Sequence, residues 1–168
     1  IWGKIKLSSW KRNIFNSKFT QDYIEKEWGI KGLVVYPPVE VGNIKLLKKE
    51  KIILSVGRFS VSKKHEVLID AFIKMNLKGW SLYLVGGEYD QDYLKSLRDQ
   101  AKGQQIFFHP NLPLDQLIKL YGQAQIYWHA AGFGENDPIK LEHFGITTVE
   151  AMAAGCVPVV INAGGQKE

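Results

Sequence analysis

The feature that most constrains the fold is a regular alternation that begins at residue 52. Short apolar runs rich in β-branched residues recur along the chain, and amphipathic helical patterns lie between them. The runs lie at residues 52–56, 80–85, 105–108, 125–129 and 157–161. Strands that are apolar at nearly every position and separated by single helices are typical of a parallel sheet covered on both faces. The sequence therefore predicts a doubly wound α/β domain with right-handed crossovers.

The helical patterns between the runs each define one apolar face, because their apolar residues recur at intervals of three or four. The predicted core-facing residues are Val67, Leu68, Ala71, Phe72 and Met75 in the first helix, Tyr93, Leu94, Leu97 and Ala101 in the second, and Leu114, Leu117, Ile118 and Tyr121 in the third.

Residues 1–45 differ from the rest of the chain. The local signals predict a strand near Ile14-Phe15, a helix from about Thr20 to Trp28 with Ser17 or Thr20 as its N-cap and Gly29 as its stop, and a strand at 33–36. Pro37-Pro38 breaks this pattern, and Gly42, Asn43 and the charged run 45–51 are typical of a linker. We therefore expect residues 1–45 to be the end of one domain with its linker, and residues 46–168 to form a second domain.

Composition limits the class of protein. The single cysteine, Cys156, excludes an internal disulfide and lies in an apolar run, which predicts a buried, unreactive thiol. No apolar run approaches the roughly 20 residues needed to span a bilayer, and no leader pattern opens the chain, so we expect a cytoplasmic protein.

The net charge of +5 is concentrated near the start, where residues 1–31 hold seven Lys or Arg and three Asp or Glu. These basic residues lie near Trp2, Trp10 and Trp28 but form no continuous run. This spacing favours a solvated surface, or a face that meets another domain, over nucleic-acid binding. A peripheral contact with anionic lipid stays open.

The carboxyl ends of parallel strands share one edge of the sheet, where ligands bind in such folds. Small and polar residues follow the predicted strands: Gly57-Arg58, Gly86-Gly87-Glu88, His109-Pro110-Asn111, the segment 131–142, and Asn162 to Gly165. Glycines there allow a ligand to approach the backbone closely, although each can also be a turn residue.

The stretch Glu142 to Gly155 combines a glycine turn with a short predicted helix. Thr147 or Thr148 can cap this helix and Gly155 can end it, so that the helix starts between Glu142 and Glu150. Its N-terminus can bind phosphate. Alternatively, Thr147 and Glu150 form a capping box in which Glu150 only reaches back to the N-cap amide.

Several common sites are absent from the sequence. No Gly-x-Gly-x-x-Gly follows the first predicted strand, and neither a Walker motif nor a Cys/His metal pattern is present. We expect the scattered histidines to be surface or hydrogen-bonded residues, not metal ligands: His65, His109, His129 and His143.

Arg58 and Lys63 can together hold a diphosphate, because one follows the first predicted strand and the other lies five residues further on. Carboxylates behind such an anion site can accept hydrogen bonds from the hydroxyl groups of a ligand. The combination describes a sugar nucleotide, with no metal and no cofactor required.

Residues 52–168 resemble a known family. The segments Ser55-Val56-Gly57-Arg58-Phe59, Leu84-Val85-Gly86-Gly87, Glu142-His143-Phe144-Gly145 and Glu150 to Gly155 are similar to the C-terminal domain of the retaining glycosyltransferases called group 1 or family 4. That family has the GT-B architecture of two facing Rossmann-like domains. Residues 14–38 are similar to the end of the family's N-terminal domain and its crossing linker.

The resemblance implies roles for particular residues. Arg58, Lys63 and Glu142 would be catalytic, with the two cations on the donor diphosphate and Glu142 on the sugar hydroxyls. Lys64-His65 after Lys63 departs from the family pattern and leaves open which lysine reaches phosphate. Glu150 would hold the ribose, and the other donor-binding residues would be Gly57, Gly86, Gly87, His143, Phe144, Gly145, Ile146 and Thr147.

The resemblance also implies substrates. The enzyme would transfer mannose or glucose from a GDP-, UDP- or ADP-hexose to a glycan or lipid-linked acceptor, with mannose slightly favoured and the base held near residues 108–112. The family's N-terminal domain and closing helices are absent from this sequence, so we expect a donor-binding half that is inactive alone. A non-catalytic nucleotide-sugar-binding module, a sugar-nucleotide epimerase and a hydrolase stay open as alternatives.

Overall fold

The structure is a computed structural model that describes residues 11–168. A small parallel pair, β1 (Ile14–Phe15) and β2 (Leu33–Val34), flanks α1 (Lys18–Trp28). The remaining elements are β3 (Glu50–Val56), α2 (His65–Met75), β4 (Ser81–Gly86), α3 (Gln91–Gln100), β5 (Ile106–Pro110), α4 (Leu114–Gln123), β6 (Ala124–His129), α5 (Ile146–Ala153) and β7 (Val157–Val160). Single 3₁₀ turns lie at Val61–Lys63, Pro138–Lys140 and Gly164–Lys167.

The central sheet confirms the predicted α/β fold. Its five strands are all parallel and lie in the order β5-β4-β3-β6-β7. The order reverses direction beside β3, and the crevice at such a reversal is where ligands bind in open α/β sheets. The topology therefore predicts a ligand site at the carboxyl ends of β3 and β6.

Alternate residues of β3 enter two separate cores. Ile53 packs on one face of the sheet with residues of α2 and α3. Ile52, Leu54 and Val56 pack on the other face with residues of α4 and α5. Each fully buried side chain of this size contributes about 1.5–3 kcal/mol, so helices on both faces fix the sheet.

Two predicted core positions are wrong. Met75 lies at the last residue of α2 with 47% of its surface exposed, and Leu114, the first residue of α4, is 71% exposed. Both belong to the predicted apolar faces, but each is a terminal residue of its helix and is left uncovered by the described residues. Val157 and Val159 are also exposed, so one face of the edge strand β7 is not covered by the described residues.

The ends of several elements differ from the prediction. Helix α1 begins at Lys18, two residues earlier than predicted, because Ser17 accepts a hydrogen bond from the Thr20 backbone N–H at 3.0 Å. The predicted strand at 33–36 is only two residues long. Strand β5 continues through His109 and Pro110, which pair with Val85 and Gly86 of β4.

The predicted linker is packed against the sheet domain. Glu50 and Lys51 belong to β3, and the Lys49 Nζ donates a hydrogen bond to the Ala154 carbonyl oxygen at the end of α5 at 2.6 Å. Cys156 is buried nearby as predicted, and burial raises the pKa of its thiol.

The segment before β3 is docked onto the other end of the described chain. The Glu168 carboxylate accepts backbone hydrogen bonds from Lys18 and Phe19, at 2.8 and 2.7 Å, and a third from the Tyr36 hydroxyl. A carboxylate at a helix N-terminus satisfies free N–H groups and complements the helix dipole. Glu168 therefore holds α1 in place.

Two further expectations concern the surface. Trp2 and Trp10 of the predicted basic, aromatic face lie outside the described residues, so that face stays a prediction. Within residues 11–168, none of the helices has the length and apolar character required to cross a bilayer.

A close backbone contact brings the ends of β3 and β4 together. The Gly57 and Phe59 N–H groups donate to the carbonyl oxygens of Val85 and Gly87, both at 2.9 Å. A Cβ atom at Gly86 would overlap the Gly57 carbonyl oxygen, whereas one at Gly87 would make ordinary contacts at 3.9 Å. Gly86 thus has a packing role that its neighbour lacks.

We expect Gly86→Ala to lower the free energy of unfolding by about 1–3 kcal/mol, because the backbone must move to accept the methyl group. The matched variant Gly87→Ala should change it by less than about 0.5 kcal/mol. Urea unfolding of both variants measures this difference, and equal losses would contradict the packing role.

Candidate functional site

The candidate site lies where β3 and β6 end. Gly57 and Arg58 follow β3, His129 is the last residue of β6, and the turn after β3 carries Lys63. The loop that leads into α5 carries Glu142. Residues far apart in the sequence therefore converge at one edge of the sheet, as the predicted topology requires.

A cavity of about 300 Å³ at this edge gathers most of the predicted site. Its basic and acidic lining residues are Arg58, Lys63 and Glu142. The other lining residues are Asn16, Pro37, Val56, Gly57, Phe144, Gly145, Ile146 and Thr147. The structure thus brings two cations, a carboxylate and a helix N-terminus to one hollow.

Glu142 is held by two donors. Its Oε2 atom lies 2.8 Å from the Lys63 Nζ and 3.4 Å from the His129 Nε2, and its side chain is 20% exposed. Burial alone would raise the pKa of Glu142, but the hydrogen bonds from His129 and Lys63 outweigh burial and lower that pKa to about 2. Glu142 is therefore a carboxylate at any pH above the acidic range.

The N-terminus of α5 is uncapped, contrary to the prediction that Thr147 or Thr148 caps it. Gly145 is the N-cap residue, with φ 96°, and offers no side chain to the helix. The Thr148 N–H bonds back to the Gly145 carbonyl oxygen at 3.0 Å. The first two helical residues, Ile146 and Thr147, line the cavity, and N–H groups at these positions have no acceptor within a helix.

The alternative capping box does not form. The Thr147 hydroxyl lies 2.6 Å from the Tyr127 hydroxyl, which donates to it, and the Thr148 hydroxyl donates to the Gln166 side chain. Glu150 accepts a hydrogen bond from the Tyr121 hydroxyl at 2.8 Å. These tertiary partners take up the side chains that would otherwise cap the helix, and Gly155, with φ 73°, ends the helix region as predicted.

A larger cavity of about 550 Å³ adjoins the first and shares Arg58, Lys63 and Glu142 with it. Of these two cavities, Lys64 lines the second and not the first, and it pairs with Glu135 at 2.8 Å. Lys63, not Lys64, therefore faces the smaller cavity. This supports the prediction that Lys63, together with Arg58, can hold a diphosphate.

Arg58 differs from Lys63 in its environment. Its side chain is exposed, and its guanidinium carbon lies 5.3 Å from the centre of the Tyr89 ring. Such a cation–π contact is worth about 0.5–1 kcal/mol at an exposed site, so the guanidinium can move to a ligand at little cost.

The segment before β3 forms part of the wall. Asn16 and Pro37 line the smaller cavity, and the Tyr36 ring stacks on Phe144 with 5.8 Å between ring centres. The Phe19 ring contacts His143 at 5.9 Å, and His143 lines the larger cavity, not the smaller one. The sequence did not indicate that Asn16 and Pro37 reach the site.

Some predicted site residues lie beside the smaller cavity. Gly86, Gly87 and Glu150 are not among the residues that line it. Glu150 points from α5 toward Tyr121 of α4, while Gly87 is close to the Arg58 side chain. Their predicted roles in donor binding stay predictions.

The sequence analysis did not place His129 at the candidate site. It is 5% exposed and contacts the Glu142 carboxylate. This agrees with the expectation of a hydrogen-bonded histidine, but the sequence did not indicate that its partner is a predicted site residue. The place of His129 at the end of a predicted strand was the signal that could have located it. Among residues 11–168, no group of three or more His, Cys, Asp and Glu side chains is arranged to hold a metal ion.

The five-stranded parallel sheet, with helices on both faces and a cavity at its carboxyl edge, defines a Rossmann-like domain. The profile of the group 1 glycosyl transferases matches residues 40–168. The chain belongs to this family, as the sequence resemblance predicted.

Relatives and solved structures agree with this assignment. The chain is 32% identical over 171 residues to a GDP-Man:Man(3)GlcNAc(2)-PP-Dol alpha-1,2-mannosyltransferase of Dictyostelium discoideum, covering 88% of this chain and 32% of the relative. It is 31% identical over 175 residues to the Homo sapiens protein of the same name, covering 90% of this chain and 34% of that one. The chain thus spans about a third of the length of these relatives.

Among solved structures, Anabaena Alr3699/HepE in complex with UDP and glucose has a TM-score of 0.74 at 22% identity, over 92% of this chain and 45% of that one. TarM has a TM-score of 0.75 at 16% identity, over 98% and 32% of the two chains. At these identities the likeness establishes the fold, a Rossmann-like domain of the kind found in GT-B glycosyltransferases.

The low pKa of Glu142 predicts a pH-dependent contribution to stability. Because the folded pKa of about 2 lies below the ordinary value of 4.5, this contribution is complete above pH 4.5 and is lost as the pH falls toward 2. The difference in unfolding free energy between wild type and Glu142→Gln should favour wild type by about 2 kcal/mol more at pH 7 than at pH 3. Urea unfolding at both pH values measures it, and a difference independent of pH would contradict the ion pair.

Proposed function

We propose that this chain is the donor-binding domain of a mannosyltransferase that takes mannose from GDP-mannose. The observation that carries the proposal is the cavity in which Arg58, Lys63, Glu142 and the uncapped N-terminus of α5 meet. The choice of GDP-mannose is supported by the names of the relatives, in which GDP-Man is the donor.

The diphosphate of the donor would bind between the cations and α5. Arg58 supplies a bidentate fork, Lys63 a point charge, and the first N–H groups of α5 supply dipoles directed at the same hollow. Lys63 already bonds to Glu142, so a bound phosphate would share this ammonium group with the carboxylate. An ammonium has three donors, and sharing is therefore feasible.

The sugar would lie against Glu142 and the backbone of residues 144–147. A carboxylate with a pKa of about 2 is an acceptor for sugar hydroxyls throughout the physiological range. Acting as an acceptor, Glu142 would help to orient the hexose in the cavity.

Catalysis would come from charge stabilisation of the leaving group. Negative charge develops on the diphosphate oxygen as its bond to the anomeric carbon breaks, and Arg58, Lys63 and α5 would stabilise that charge without a metal. Loss of one such preorganised donor typically raises a barrier by ~3–4 kcal/mol. Retention of the anomeric configuration is part of the proposal and is supported by the family resemblance.

The acceptor would be a lipid-linked glycan. This part of the proposal is supported by the relatives' names, which include Man(3)GlcNAc(2)-PP-Dol. The chain spans about a third of those relatives, so the acceptor would bind mainly to a partner domain. A cytoplasmic enzyme at a membrane surface fits such a substrate.

Calorimetric titration of this chain with GDP, UDP and ADP tests the donor site. We expect binding of GDP, and weaker binding by Arg58→Ala by about 10- to 100-fold, since a hydrogen bond to a charged group contributes about 1.5–3 kcal/mol.

Arg98→Ala is the matched control, because Arg98 is exposed in the last turn of α3, at the opposite edge of the sheet. Its affinity for GDP should equal that of wild type. Preference for UDP or ADP would contradict the assignment of GDP, and equal losses in both variants would contradict the proposed site.

A further inference from the structure

A chain of polar contacts runs behind Glu142, away from the cavity. The Thr148 Oγ1 donates to the Gln166 Oε1 at 3.1 Å, and the Gln166 Nε2 lies 3.3 Å from the His129 Nδ1. The His129 Nε2 then contacts the Glu142 Oε2 at 3.4 Å. This relay joins α5, the turn at Gly164–Lys167 and β6 to the loop that carries Glu142.

For a neutral imidazole, the order of donors along this relay implies one tautomer of His129. An amide oxygen only accepts, so the Thr148 hydroxyl is the donor to Gln166. An amide nitrogen only donates, so the Nδ1 of His129 must accept from Gln166. A neutral imidazole that accepts at Nδ1 carries its hydrogen on Nε2, the atom that faces the Glu142 carboxylate.

The opposite orientation of the Gln166 amide is unfavourable. Its oxygen would require a hydrogen on the His129 Nδ1, and the neutral ring would then turn a lone pair toward the Glu142 Oε2. Two acceptors would face each other at a site where His129 is 5% exposed.

Backbone contacts keep Gln166 in place. The Gly165 N–H donates to the Glu142 carbonyl oxygen at 2.8 Å, and a Cβ atom at Gly145 would lie 2.6 Å from the Gln166 Nε2. The side-chain amide therefore packs directly against Gly145, the N-cap residue of α5.

The two carboxylate oxygens of Glu142 have different environments. Its Oε2 receives both Lys63 and His129. Its Oε1 receives no hydrogen bond from residues 11–168, and Glu142 lines the cavity. One oxygen thus anchors the side chain, and the other is available to a ligand hydroxyl.

We propose that Gln166 and Thr148 are positioning residues, which hold His129 as the Nε2–H tautomer so that it orients the Glu142 carboxylate toward the donor sugar. The tautomer is a property of this chain alone, whereas the action on the sugar rests on the proposed function. The two parts are tested by different measurements.

The first measurement is a long-range ¹H–¹⁵N correlation spectrum of the ¹⁵N-labelled chain at pH 7.5. The His129 Nδ1 should resonate as an unprotonated nitrogen and its Nε2 as a protonated one. A protonated Nδ1 in the wild-type chain would overturn the proposal.

The second measurement compares the affinities for GDP-mannose and GDP by calorimetry. Gln166→Met keeps the length of the side chain but removes the amide, and should weaken GDP-mannose binding roughly tenfold with GDP binding unchanged. Thr148→Val should act in the same direction with a smaller effect, and Thr148→Ser, which retains the hydroxyl, should restore the wild-type preference.

The control Gln104→Met makes the same substitution at an exposed position and should leave both affinities unchanged. Equal losses for GDP and GDP-mannose in Gln166→Met, or no loss for either, would overturn the positioning role. A wild-type chain that binds no GDP would contradict the proposed function, and the spectrum would still decide the tautomer.

Discussion

The ion pair between Lys63 and Glu142 is the interaction on which the site depends. The two residues lie 79 positions apart and meet at 2.8 Å, each with a quarter or less of its side chain exposed. Partly buried charges need close partners, and His129 supplies a second partner for Glu142. The pair joins the turn after β3 to the loop before α5 and holds these two segments together at the edge of the cavity.

Gly145, the N-cap residue of α5, leaves the N-terminus of this helix without a side-chain cap. A conventional cap at Thr147 or Thr148 would have filled the helix N-terminus, and either residue was compatible with the sequence. Neither threonine caps the helix, because the Thr147 hydroxyl bonds to Tyr127 and the Thr148 hydroxyl bonds to Gln166. A local motif such as the capping box competes with partners from other strands, and those partners cannot be identified from spacing.

The sheet was predictable because its signal is strong and repeated. Apolar runs set the positions of the five main strands, and topology then placed Arg58, Lys63 and Glu142 together. The ends were less predictable, since pairing with β4 extends β5 through His109 and Pro110 despite the proline. The contact of His129 with Glu142 was not predicted for a related reason: a strand end shows that a residue reaches the edge of the sheet but not which neighbour it meets.

The segment before β3 shows why the site cannot be assigned to the sheet domain alone. Asn16 and Pro37 line the cavity, and Tyr36 stacks on Phe144, whose backbone lies beside Gly145. Glu168, which lies two residues after Gln166, bonds to the Tyr36 hydroxyl and to the first turn of α1. The turn at Gly164–Lys167 therefore connects both walls of the cavity, one through Glu168 to α1 and the other through Gln166 to Glu142. The position of α1 and the position of the Glu142 carboxylate therefore both depend on contacts made by residues 166–168.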